Sequence, residues 1–169
     1  MKPNFVDRLK FVKNSIFYQL LQSDDFDEGV YWDRHSFPQN SVILEEGSQS
    51  GKVFFILNGK TRISSVVAWD GQERMRPGVS DLGAGDVFGE LALMDNMPHA
   101  TTVTAVSSCE IAVIDGKRLQ TYLEENHDMG YQVYLAISRT LVDRLRATNE
   151  KVFALLAWGL QERGYRELL

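Results

Sequence analysis

Residues 85–105 read GDVFGELALMDNMPHATTVTA, and this stretch constrains the chain more than any other. Asp86-Val87-Phe88 is strand-like, Gly89 interrupts it, and an apolar run from Glu90 follows that can make one or two helical turns. A turn at Met97-Pro98-His99 leads into Thr101 to Val106, where alternating β-branched residues predict a strand. Strand, glycine, short helix, turn and strand together make a cradle suited to a small anion. Gly89 lets a ligand approach the backbone closely, and the first N–H groups of a helical turn have no partner inside it.

The flanking sequence sets this cradle in a β-rich body. Phe5, Leu9, Val12, Ile16 and Leu20 form a stripe that predicts one or two helices, with a break near Asn14. Val30-Tyr31-Trp32 and Val42-Ile43-Leu44 are strand candidates separated by the turn composition Pro38-Gln39-Asn40. Val53 to Leu57 reads as a buried strand, Asn58-Gly59 as a two-residue hairpin, and Lys60 to Trp69 as the returning strand. A turn at Asp70-Gly71 opens a polar loop reaching Asp81, and Cys109 to Ile114 is the last strand. Short strands punctuated by glycine turns imply a sandwich or jelly roll.

Beyond Asp115 the pattern is helical. Gly116 to Glu125 predicts a short helix, broken near Asn126, and a long helix runs from Gly130 at least to Trp158. Along it Tyr134, Ser138, Leu141, Leu145, Thr148, Val152, Leu155 and Gly159 alternate steps of four and three, a heptad seam. The seam can pack on the helix's own sheet or on a twin, and its length, about 42 Å for the expected span, favours a homodimer. The expected organisation is a helical segment over 1–29, a jelly roll over 30–115, and a helical hinge with a long helix over 116–169. The fold class is mostly β with flanking helices, a double-stranded β-helix ending in a dimerisation helix.

Composition removes several functions. The formal charge of −5 gives no global attraction to nucleic acid or anionic membrane. The single cysteine, Cys109, cannot form an intrachain disulfide and reads as a packed strand thiol, consistent with a reducing, cytoplasmic setting. No apolar run approaches the ~20 residues of a membrane span. The three histidines, His35, His99 and His127, are far apart, so a jelly-roll metal site is not expected. No nucleophile–base pair is evident, and the chain is read as non-enzymatic.

The cradle resembles the phosphate-binding cassette of the cyclic nucleotide-binding domain family, whose pattern runs F-G-E-L-A-L, a variable gap, then P-R-A-A/S-T-V. This chain has Phe88-Gly89-Glu90-Leu91-Ala92-Leu93 and Pro98-His99-Ala100-Thr101-Thr102-Val103. The resemblance implies that Glu90 takes the ribose 2′-hydroxyl. At the position where the family's arginine pairs with the cyclic phosphate, this chain has His99. Asp143 to Val152 is also similar to the dimer helix of the bacterial cyclic-AMP receptor family. There a Thr-Ser pair contacts the adenine across the dimer and an arginine one turn earlier faces the phosphate; Thr148, Asn149 and Arg144 match. The early phrase Ile43, Gly47 and Phe55 to Gly59 carries the likeness over most of the chain.

The implied ligand is cyclic AMP or cyclic GMP, held by Phe88, Gly89, Glu90, Leu91, Ala92, His99, Ala100, Thr101, Arg144, Thr148 and Asn149. The expectation is a regulatory sensor without its own DNA-binding domain, since the residues after Gly159 cannot supply a helix-turn-helix, and it would act through an unidentified downstream protein. The alternative is a domain that keeps the fold and serves as a dimeric interaction module without nucleotide. On that view His99 is a partly exposed turn residue, and Glu90 holds the loop or pairs with Arg144.

Overall fold

The computed structural model describes residue 12 and residues 15–69, 73–75, 78–95 and 97–162. Two four-stranded antiparallel sheets face each other. The first has the order β1-β10-β3-β8, from Trp32–Phe37, Cys109–Asp115, Lys52–Asn58 and Val87–Phe88. The second has the order β2-β9-β4-β7, from Val42–Leu44, Thr102–Ala105, Lys60–Ser64 and Gly78–Gly83. A small hairpin, β5 (Val67–Trp69) with β6 (Glu73–Met75), extends between β4 and β7 in the chain. Helices α1 (Ile16–Leu21), α2 (Gly116–Glu125) and α3 (His127–Glu162) complete the described elements, with one 3₁₀ turn at Glu90–Leu93. This is the expected jelly roll with flanking helices.

The unbroken apolar run of β3 explains its central place, because both faces of the first sheet are covered. Phe54 and Ile56 face inward, into a core with Leu44, Leu82, Phe88, Val103, Ile111 and Val113. On the other face Phe55 stacks on Phe17 of α1 with ring centroids 5.9 Å apart. Leu20, Leu119 and Leu123 are buried as well. Each such side chain contributes about 1.5–3 kcal/mol on burial, so these two layers dominate the stability of the β body. The Asp115 carboxylate caps α2 by accepting the Arg118 N–H at 2.9 Å.

Several boundaries differ from the sequence reading. Asn58-Gly59 does not close a hairpin: β3 and β4 belong to different sheets, and β4 pairs with β9 and β7. Gly59 (φ 99°) is instead the corner at which the chain changes sheet, where a Cβ would lie 2.5 Å from the Ser108 carbonyl oxygen. The Lys60 carbonyl accepts the N–H groups of Val106 and Ser107, at 2.8 and 3.3 Å, which locks the corner against its neighbour. An Asn-Gly step fits both geometries, because both need a positive φ.

The returning stretch from Lys60 is two strands rather than one, and the expected polar loop to Asp81 contains β6 and β7. β7 escaped notice because its buried hydrophobic residue, Leu82, stands among polar ones paired along β4. The first strand begins at Trp32, while Tyr31 lies in the preceding turn. α3 begins at His127, three residues earlier than expected. The helix expected from Phe5 lies outside the described residues except for Val12 and the span that forms α1.

The chain divides into two compact units, 1–130 and 131–169. In the second, α3 leaves Val142, Leu145, Val152, Phe153, Leu155, Leu156 and Trp158 exposed, between 46% and 68%. Among the described residues no helix is long and apolar enough to cross a membrane.

Candidate functional site

The cassette starts where β8 pairs with β3. Phe88 lies opposite Phe54, and their rings stack in parallel with centroids 4.8 Å apart, which makes Phe88 a core residue at the base of the turn. Gly89 follows in the left-handed region (φ 75°, ψ 5°). A Cβ there would sit 2.7 Å from the Lys52 carbonyl oxygen and 3.0 Å from the Phe54 ring, so the position admits glycine on both conformational and steric grounds. The chain then turns through a single 3₁₀ turn, in place of the one or two helical turns the sequence allowed.

Within that turn the alternation is unusual. Glu90 is 3% exposed while Leu91 is 46% exposed, so the acid points in and a leucine points out. Ala92 is half-buried and Leu93 buried. Burying a carboxyl side chain is costly unless it is satisfied, and Glu90 does interact with its surroundings. Ala92 also lines a hollow of about 500 Å³ with Ser50, Asp95, Asp115 and Lys117. Its charged lining is net acidic and does not favour an anion.

His99 reaches the same region from the other end of the cassette. It is 8% exposed, so it is an inward side chain and not a solvent-facing turn residue. Three contacts hold it to the loop after β2. Its N–H donates to the Ser48 carbonyl at 2.9 Å, and its carbonyl accepts the Gly47 N–H at 2.8 Å. Its Nε2 lies 2.7 Å from the Ser50 Oγ. Burial pushes the His99 pKa below the ordinary 6.5, and the nearby Glu90 carboxylate opposes that by favouring the cation. The imidazole is therefore mainly neutral at pH 7. Ala100 beyond it is exposed and Thr101 half-buried.

The structure thus places Phe88 at the end of β8 and Gly89, Glu90, Leu91, Ala92, His99, Ala100 and Thr101 in the loop from there to β9, within the first compact unit. Arg144, Thr148 and Asn149 lie on α3 in the second unit, Arg144 half-buried and the other two exposed. The sequence reading missed the loop that supports the cassette. Ser50 meets His99 across 49 residues of chain. Glu46 ties three segments together: its N–H donates to Thr102 Oγ1 at 3.1 Å, and its carboxylate accepts the Ser65 hydroxyl at 3.1 Å and the Val66 N–H at 3.0 Å. Only the run Glu45 to Gly51, polar beside a buried strand, hinted at such a role.

Other candidates settle into structural places. Cys109 is a buried free thiol on β10. His35 and His127 are exposed. Among the described residues no group of three or more His, Cys, Asp or Glu side chains could hold a metal ion.

Comparison with known proteins agrees with this geometry. The model of the cyclic nucleotide-binding domain matches residues 34–126, more than half of the chain. A CRP-like cAMP-activated global transcriptional regulator from Mycobacterium tuberculosis is 26% identical over 133 residues, covering 79% of this chain and 56% of that protein. The chain therefore spans about half the length of the curated relatives it matches. Among solved structures, a cyclic nucleotide-binding domain from Methylobacillus flagellatus superposes with a TM-score of 0.70 at 19% identity, covering 89% of this chain and 83% of that one. The c-di-GMP-responsive global regulator CLP of Xanthomonas campestris gives 0.68 at 21% identity, covering 82% and 66%. At those identities the structural matches speak to the fold, and the family match speaks to descent. The chain belongs to the cyclic nucleotide-binding domain family.

Proposed function

We propose that this chain is a regulatory sensor module that binds a cyclic nucleotide in the cassette between β8 and β9 and acts as a homodimer through α3. The observation that carries the reading is the inward pair Glu90 and His99, 3% and 8% exposed, at the family's ribose and phosphate positions. Gly89 supports it by letting the backbone turn where a side chain would collide with β3. In this reading Glu90 takes the ribose hydroxyl, while the imidazole and the amides of the turn face the cyclic phosphate. Phe88, Leu91, Ala92, Ala100 and Thr101 shape the loop around them. Arg144, Thr148 and Asn149 of α3 are assigned to the base and phosphate by the family resemblance alone.

The proposed dimer rests on the exposed seam residues Leu145, Val152 and Leu155, which a twin helix would cover. Output then passes to a further protein through the hinge at Asn126. The ligand assignment follows the cassette, and the cAMP-activated relative supports cyclic AMP as the first nucleotide to test.

A second reading has its own support. His99 has its pKa lowered by burial, is tied to Ser50, and lacks the fork of an arginine. On that reading the loop is a fixed support, and the chain works as a dimeric interaction module without nucleotide. Calorimetry with cyclic AMP and cyclic GMP separates the two. The sensor reading expects saturable heat and a thermal shift with at least one of them; no heat and no shift at millimolar nucleotide, at pH 6 and at pH 8, leaves the module reading.

A further inference from the structure

A pocket of about 600 Å³ opens on the outer face of the first sheet, away from the cassette sequence. That volume lies within the range of small-molecule sites. Its apolar lining comes from Val12, Tyr18 and Leu21 beside or on α1, Trp32 on β1 and Leu57 on β3. Trp32 is 5% exposed, and its indole N–H donates to the Phe26 carbonyl at 3.1 Å, so the ring is clamped in place. The far wall is the locked corner at Gly59 and Lys60, built of small or backbone groups together with Ala84 and Ser107. Nothing in this wall needs to rearrange to admit a guest.

The polar groups lining the pocket are not symmetric in charge. Among the described lining residues, Arg34 and Lys60 stand against a single acid, Glu110. Arg34 touches Glu110 and Glu28 only at 3.8 and 4.0 Å, with about half of each side chain exposed. Such pairs contribute little and yield readily to a better partner. A guanidinium so loosely held above an aromatic and aliphatic floor suits one kind of guest: an apolar body with one anionic head.

We propose that this pocket is a second ligand site, for an amphipathic small-molecule anion whose apolar part packs on Trp32 and Leu57 and whose head meets Arg34 and Lys60. The site is independent of the nucleotide reading, since none of its described lining residues belongs to the cassette. The probe is 8-anilinonaphthalene-1-sulfonate, with its uncharged parent N-phenyl-1-naphthylamine as the control, titrated into the ¹⁵N-labelled full chain. Saturable shifts are expected in the Trp32 indole N–H and in the amides of Asn58, Gly59 and Lys60. The double variant Arg34→Gln/Lys60→Gln, which changes exposed positions alone, should weaken the sulfonate by about tenfold or more and leave the neutral parent within about twofold. Excess cyclic AMP should not displace the probe. Three results overturn the proposal: shifts confined to the exposed face of α3, sulfonate affinity unchanged in the double variant, or competition with cyclic AMP.

Discussion

The cassette and the far half of α3 break the ordinary rule of burial in opposite directions. The cassette places an acid and an imidazole inside, with Glu90 and His99 under one tenth exposed. The helix places large apolar side chains outside, with Leu145, Phe153, Leu155 and Trp158 above three fifths exposed. Either departure costs free energy in an isolated chain. On the proposed reading the first is one side of an interaction with a polar ligand and the second one side of an interaction with an apolar surface, while Glu90 and His99 also have partners within the chain. If that reading holds, the difference makes ligand and twin separable partners, and mutations should be able to remove one without the other.

The largest effect should come from rebuilding the cassette backbone. Gly89→Val imposes a β-branched side chain on a φ of 75° and drives its Cβ toward the Lys52 carbonyl at 2.7 Å. A loss of about 3 kcal/mol or more in stability is expected, read as a fall in Tm of about 10 °C. An unchanged Tm would show that the turn is pliable and not a fixed cradle. Next in size is the seam. Leu145→Glu with Leu155→Glu puts charge into any helix pair but alters nothing buried within one chain. Sedimentation should show the dimer weakened more than about a hundredfold, with Tm of the β body nearly unchanged. Wild-type chain that sediments as a monomer at high concentration would break the comparison from that side.

His99→Arg sharpens the cassette half. The fork it introduces can make two charge-assisted bonds to a phosphate, each worth about 1.5–3 kcal/mol. A gain of about ten- to a hundredfold in cyclic-nucleotide affinity is expected by calorimetry. No gain, with the fold intact, would favour the module reading, because a closed slot has no use for a guanidinium.

How far the chain could be read beforehand follows the same division between local and distant partners. The break at Asn126, α2 and β10 were legible, because each is fixed by nearest neighbours in sequence, such as a cap or an apolar alternation. Glu90 and His99 were singled out by the cassette's resemblance to its family, and the structure buries both. Ser50 and Glu46 were not legible, since their partners lie 19 to 56 residues away and no local pattern encodes them. The corner at Gly59 was misread for a related reason. An Asn-Gly step announces a sharp turn, but whether the next strand pairs with the last or crosses to the opposite sheet is decided by the Ser107–Cys109 segment packed against it.

The smallest effect, and the most diagnostic, is the pH dependence. With its pKa held below 6.5, His99 binds fewer protons in the folded chain than in the unfolded one as pH falls beneath that value. Its contribution therefore lowers stability as pH drops through 6.5 toward the folded pKa, by no more than about 1.4 kcal/mol per unit. A phosphate beside the ring has the reverse sign. It raises the pKa of the complex, so binding takes up a proton and tightens as pH falls, by at most about tenfold per unit between the free and bound values. Calorimetry from pH 8 to pH 6 should show this slope in the wild type and lose it in His99→Gln. The helix supplies the internal control: residues 131–162 contain no histidine, so dimer affinity should move less than about twofold over the same range. A nucleotide slope that survives His99→Gln would take the imidazole out of phosphate recognition, and a slope shared equally by the dimer would mean that ligand and twin are not separate partners after all.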